Sequence, residues 1–360
     1  MISIKHLKKA YSAGTPLKDV NLEIERGEVI SIIGPSGTGK TTLLRCINML
    51  EAPTSGTILV DGTDITAKGC NLSEVRQKIG MVFQNYNLFE HMNVLENVMY
   101  AQRKVKGASE EEARQKAEEA LKSVGLLTHA LAYPDELSGG QKQRAAIART
   151  LVMDPEMILF DEPTSALDPA MTGQVLTVIN KLSERGMTMM IVTHEMEIAR
   201  TVSTRVLYMD QGVVYEDGPP EQIFDHPLRS RTRQFIQRMK VWEHRLVPGD
   251  FDYLELCSQI EIFGREHMIS PQKCRLAQAV LEEVCMGSML PSMEENEHIH
   301  FLFECSERDN KANVTLLWKG HDFNPLEKMD TLSRKIVESI GNNIVFKPGE
   351  SNNSLLFEDI

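Results

Sequence analysis

At 360 residues the chain is long for one domain and comfortable for two, and its 42% hydrophobic and 25% charged content is that of a globular protein. No apolar run approaches the roughly 18 residues of a membrane span, and the N-terminal MISIKHLKKAYS lacks a signal peptide's apolar core, so a cytoplasmic chain is expected and any membrane role needs a separate spanning partner. The net charge of −12 is concentrated late: residues 241–360 hold 11 Lys/Arg against 21 Asp/Glu and residues 1–240 hold 28 against 30, a balance that argues against nucleic-acid binding, which needs a basic footprint.

Glu28-Val-Ile-Ser-Ile-Ile33 reads as a short apolar strand, and Thr42-Leu-Leu-Arg-Cys-Ile-Asn-Met-Leu50 has helical periodicity. Between them lies Gly34-Pro-Ser-Gly-Thr-Gly-Lys-Thr41, a GxxxxGK[ST] phosphate loop in strand–loop–helix context. Gly34, Gly37 and Gly39 let backbone N–H groups turn inward around phosphate oxygens, and the helix presents its positive end to the same anion. Lys40 reaches the β- and γ-phosphates, the Thr41 hydroxyl joins a Mg²⁺ shell, and Ser36 and Thr42 complete the loop.

The segment from Asn85 to about Pro155 is largely helical in pattern, centred on the charged stretch 108–121. Near its end Leu137-Ser-Gly-Gly-Gln-Lys-Gln-Arg144 opens a second helix, with Ser-Gly-Gly at another anion-binding terminus. Met157-Ile-Leu-Phe160 is a buried-strand run ending in Asp161-Glu162: one carboxylate to hold Mg²⁺ and one to polarise an attacking water. His194 follows a third buried run, Ile191-Val-Thr. His194-Glu195 is no zinc HExxH helix, because residue 198 is Ile. The six cysteines, at 46, 70, 257, 274, 285 and 305, form no CxxC pair and read as buried reduced thiols.

This set of motifs, with LSGGQ present letter for letter, resembles the ATP-binding-cassette family. The resemblance implies ATP and Mg²⁺ as ligands and a head-to-tail pair of cassettes, either two copies of this chain or this chain with a homologous cassette. Ser138, Gly139, Gly140 and Gln141 of one would close over the nucleotide held by the other. It further implies that Tyr11 stacks on adenine, that Gln84 senses Mg²⁺ and the attacking water, that Asp168 crosses the dimer interface, and that His194 contacts the γ-phosphate. Glu162, His194 and Gln84 are the expected catalytic residues, and Thr41, Gln84 and Asp161 the expected metal residues.

Asn85 to Asn97, Glu162 to Pro169 and Gly218 to Phe224 resemble the polar amino-acid uptake branch of that family, which includes importers of glutamine and histidine. That branch implies transmembrane permease subunits, an extracytoplasmic solute-binding protein acting through them, and a peripheral place on the cytoplasmic face of the membrane. The alternative is a soluble cassette working on ribosomes or DNA. Such proteins usually carry two cassettes or a long coiled coil, and this chain has one motif set and no sustained heptads.

The cassette resemblance stops near Lys240. The expected architecture is an α/β cassette over residues 1–240 with an antiparallel β flank and a helical subdomain, a linker over 241–250, and a smaller acidic α+β domain over 251–360. In that domain helices are expected near 252–267, 271–290 and 331–340, and strands near 298–306, 312–319, 343–347 and 353–358. His298 and His300, two apart on a strand, share a face and read as solvated strand residues rather than a metal pair. The element order, with Arg275 to Glu283 and Gly320-His-Asp-Phe-Asn-Pro325, resembles the histidine-kinase-type ATPase fold of anti-sigma-factor kinases. The nucleotide-binding residues of that fold are missing, so a regulatory or dimer-supporting role is expected. A sensor for the transported solute and an α+β domain whose only role is packing are the other readings.

Overall fold

Strand and helix follow each other as the apolar periodicity requires. The computed structural model describes residues 1–294, 297–307, 310–319, 323–341, 343–349 and 352–360, with backbone only at 169 and 170. The described chain forms two units, Met1–Thr232 and Arg233–Ile360.

The first unit begins β1 (Ile2–Tyr11), β2 (Gly14–Ile24), β3 (Val29–Ile33), α1 (Lys40–Ile47), β4 (Ser55–Val60), β5 (Thr63–Asp64), α2 (Leu72–Lys78) and β6 (Ile79–Val82). It continues through α3 (Val94–Val105), α4 (Glu110–Ser123), α5 (Gly139–Leu151), β7 (Met157–Asp161), α6 (Pro169–Glu184) and β8 (Thr188–Val192). Last come α7 (Met196–Val202), β9 (Arg205–Asp210), β10 (Val213–Gly218) and α8 (Pro220–Asp225).

Two sheets result. An antiparallel one runs β2-β1-β4-β5, and a six-stranded one runs β10-β9-β3-β8-β7-β6, parallel except for the edge strand β10. Every residue of β3, β7 and β8 is buried, which is why these strands read as continuous apolar runs: parallel strands are covered on both faces. The strands' C-terminal ends therefore share one edge, where ligands of open α/β sheets bind. The helices of residues 94–151 start on reciprocal side-chain caps, Asn93 with Glu96 and Ser109 with Glu112, each satisfying backbone N–H groups that a helix start leaves unpaired.

α9 (Ser230–Ile236) leads into the second unit, made of β11 (Met239–Leu246), α10 (Tyr253–Glu266), α11 (Pro271–Ala279), β12 (Ile299–Ser306), β13 (Ala312–Trp318), α12 (Thr331–Glu338), β14 (Asn343–Lys347) and β15 (Asn353–Glu358). These strands form one antiparallel sheet, β11-β12-β13-β15-β14. Phe301, Phe303, Val314, Leu316, Leu355 and Phe357 face a core shared with Ile260, Val284 and Cys285 of the helices. Successive side chains alternate faces, so the register sets three rows across the opposite face. They are Arg245–His300–Leu317–Ser354–Lys347, Glu243–Leu302–Thr315–Leu356–Val345, and Val241–Glu304–Asn313, flanked by Glu358 and Asn343.

Three expectations need correction. The unit boundary falls at Thr232/Arg233 instead of 240. Residues 241–246 of the expected linker lie in β11, the edge strand of the second sheet, and only a turn closed by Asp250 N–H donating to Val247 O follows it. The helix expected over 271–290 changes type: it is α-helical to Ala279 and π-helical from Val280 to Met289. Of the Gly320 to Pro325 stretch, residues 320–322 lie outside the described residues. His298 and His300 do share a face, their rings meeting edge to face at 4.9 Å, and Arg245 donates to His298 Nδ1. Burial and the Arg245 charge hold the His298 pKa below its usual value.

Candidate nucleotide site

The loop after β3 is built around backbone that only glycine tolerates. Gly34 (φ 143°) and Gly39 (φ 95°) occupy the left-handed side of conformational space. A Cβ at Gly34 would stand 2.1 Å from Met209 O, and one at Gly39 would stand 2.4 Å from Pro16 O. The loop thus lies tight against β9 and β2, and its open side forms a cleft of about 600 Å³. It is lined by Ser36, Gly37 and Gly39 to Thr42 of the loop, by Tyr11 and Ala13 to Pro16, and by Glu162 and His194.

Lys40 is buried, and its Nζ donates to Gly34 O at 2.9 Å and Pro35 O at 2.8 Å, folding the side chain back over the loop. Burial pulls its pKa below the usual lysine value, and the Glu162 charge opposes that. Thr41 Oγ1 donates to Asp161 Oδ1 at 2.7 Å. Asp161 is itself buried, with its one cationic neighbour among the described residues, Arg45, 4.0 Å away. Burial raises the Asp161 pKa, outweighing Thr41 and Arg45. A hydroxyl and a buried carboxylate short of positive charge are the hard oxygen donors that Mg²⁺ takes.

Glu162 follows β7 with φ 49°, a left-handed conformation rare outside glycine, held by its N–H donating to Val192 O at 3.0 Å. This turn aims its carboxylate along the sheet edge, where Oε1 lies 2.9 Å from His194 Nε2. Tyr11 stands at the cleft's rim, 46% exposed, with the Lys9 ammonium 4.9 Å from its ring centre.

The remaining expected residues are not in this cleft. Ser138 caps α5: Gln141 N–H donates to Ser138 Oγ and Ser138 N–H donates to Gln141 Oε1 at 2.8 Å. Gly139 and Gly140 pack against Leu167 and Met171, with 3.0 and 3.2 Å left for a Cβ. Gln84 is exposed just past β6, and Asp168 is exposed at the start of α6. Two features escaped the sequence reading. Ala13 to Pro16 line the cleft, foreshadowed only by the small residues after Tyr11. His129 Nε2 lies 3.1 Å from Gln141 Nε2, a contact for which the sequence carries no local signal.

Residues 17–165 match the ABC transporter family. Over 239 residues, 66% of this chain and 100% of the relative, the chain is 51% identical to the arginine transport ATP-binding protein ArtM of Bacillus subtilis. The chain belongs to the ABC transporter family. The same ABC cassette is 50% identical over 239 residues to the glutamine transport ATP-binding protein GlnQ of Geobacillus stearothermophilus, covering 66% of this chain and 99% of that one. Among solved structures it resembles the post-hydrolysis dimer of the cassette MJ0796 bound to ADP and Pi, with a TM-score of 0.56, 40% identity, and 61% of this chain and 99% of that chain covered. The first unit has the ABC cassette fold, and the cassette is an ATPase. None of these relatives supports the histidine-kinase-type resemblance of the second unit.

Proposed function

We propose that this chain is the ATP-hydrolysing subunit of an importer for a polar amino acid, working as a pair of cassettes on a separate transmembrane permease. The observation that carries the reading is the 51% identity to an arginine transport ATP-binding protein over that protein's whole length. The intact Thr41–Asp161 and Glu162–His194 pairs support it. The branch further brings a solute-binding protein outside the membrane and a peripheral place at its cytoplasmic face. Among the described residues no helix is long and apolar enough to cross a membrane.

In this reading the loop's N–H groups and Lys40 hold the phosphates, and Tyr11 takes the adenine. Thr41 and Asp161 would hold Mg²⁺, whose charge would offset that of the phosphates, and Gln84, which lies outside this cleft, would sense it. Glu162 accepts a proton from the attacking water as its oxygen bonds to the γ-phosphorus and the bond to the bridging oxygen of ADP breaks. His194, 2.9 Å from Glu162, orients that carboxylate and reaches the γ-phosphate. Ser138, Gly139, Gly140 and Gln141 lie outside the cleft that holds Lys40, as does Asp168, which fits their acting on the nucleotide of the opposite cassette. The acidic second unit is a regulatory or dimer-supporting domain.

Purification from native membranes tests the reading. A multi-spanning partner, and ATP turnover that rises when that partner is loaded with arginine, glutamine or another polar amino acid, are expected. Ribosomes or DNA copurifying without a membrane partner would overturn it.

A further inference from the structure

The second unit's sheet has one face on its core; the side chains of its other face join no core cluster, and Gln234 of α9 donates to Glu304 at one corner of that face. Leu302, Leu317, Val345 and Leu356 point to that outer face, are only partly buried, and belong neither to the unit's core nor to the side chains packed on it. Solvent-facing antiparallel sheets alternate to polar residues, so a run of leucine and valine across the middle of an outer face marks a contact surface.

The charges flanking this run are arranged in order. Along one side of the Leu302–Thr315–Leu356–Val345 row, Arg245 and Lys347 sit at the two ends of their row with His300 between; along the other side lie Glu304 and Glu358. Arg245 and Lys347 are exposed. A two-fold axis laid along the Glu243–Leu302–Thr315–Leu356–Val345 row turns the sheet over onto a copy of itself, with like charge meeting only at Glu243 on the edge strand. It brings the basic row of each copy over the acidic row of the other, twice. An axis along the strands would instead set basic on basic and acidic on acidic.

We infer that this face is an isologous interface between second units of two copies of the chain, with the two-fold axis along the Leu302–Thr315–Leu356 row. Five strands about 4.8 Å apart and three rows about 7 Å apart give on the order of 1,000 Å² buried in total, the low end for a specific interface. The pairing is therefore weak alone and adds to any other contact between the same two chains through effective concentration. It needs no nucleotide, so its failure is distinct from failure of the cassette reading.

The test uses the full chain without ATP and with chelator, examined by sedimentation at micromolar to about 100 µM concentrations, the range such an area supports. A reversible dimer is expected. Leu302→Glu, which places an unpaired charge opposite its own copy, should raise the dissociation constant at least about tenfold. Lys347→Glu should weaken pairing, and adding Glu358→Lys should restore it. Axis placement is read by cross-linking, which also covers variants that fold poorly. Since facing sheets lie about 10 Å apart, a bis-maleimide of that span should join Thr315→Cys to its own copy. The same reagent should join Asn313→Cys to Leu317→Cys in mixed samples but leave Asn313→Cys alone unjoined. A chain that stays monomeric across this range, a dimer indifferent to Leu302→Glu, or Thr315→Cys left unjoined would each overturn the inference.

Discussion

Glu162→Gln removes one property and keeps nearly everything else. The amide oxygen still faces His194 Nε2, now 2.9 Å from the carboxylate, and the side chain's volume and its place in the cleft lining are unchanged. Only the capacity to take a proton is lost. A positioned general base is worth about 10²- to 10⁴-fold, which corresponds to about 3–5 kcal/mol of barrier. Single-turnover phosphate release should fall by that factor, while titration with a fluorescent ATP analogue should give unchanged affinity. Size-exclusion chromatography with ATP and Mg²⁺ should then show a dimer that persists because hydrolysis no longer opens it. Turnover within about threefold of wild type would refute Glu162 as the base, since a positioned general base typically contributes about 10²-fold or more.

Asp161→Asn should abolish Mg²⁺-dependent turnover yet raise the melting temperature of nucleotide-free protein at pH 7. Burial raises the Asp161 pKa, so its ionised form weighs against the folded state above the ordinary aspartate range, and scanning calorimetry should find the difference vanishing as pH falls below that range. His129→Lys would set a second donor against the Gln141 amide, which already gives its oxygen to Ser138 N–H. ATP-dependent dimerisation should weaken, and His129→Gln, which offers an acceptor, should retain it in the same sedimentation assay. In the second unit, Gly264→Ala would put a Cβ 2.3 Å from Cys274 Sγ between α10 and α11. Overpacking of that kind costs about 1–3 kcal/mol, and chemical denaturation should show it in the second unit's transition with ATP turnover unchanged.

Local pattern made the cassette readable. The phosphate loop, LSGGQ and the Asp161–Glu162 strand end are each contiguous, and each demands residue types for reasons visible in the chemistry of anions and water. Their convergence is different in kind. Glu162 and His194 meet because β7 and β8 are parallel neighbours with Asp161 beside Val192; the family resemblance implied a role for each at the γ-phosphate but not their contact. β11 was missed because its partner, β12, lies about sixty residues downstream. Its alternation of Trp242, His244 and Leu246 toward the core falls in the stretch expected as a linker. The π-helical stretch after Ala279 was illegible for another reason: Val280, Leu281, Val284, Cys285 and Ser288 bury a face whose spacing suits an ordinary helix nearly as well.

The left-handed backbone at Glu162 has a consequence for engineering this protein. Residues such as Met49, Arg238 and Met268 share that conformation, and exchanging them for glycine relieves a strain of about 1–2 kcal/mol each, less the extra freedom glycine gains when unfolded. A stabilisation campaign guided by backbone angles alone would rank Glu162 beside them. There the same exchange would yield a sturdier protein with an idle engine, so melting temperature and turnover must be screened together at this position.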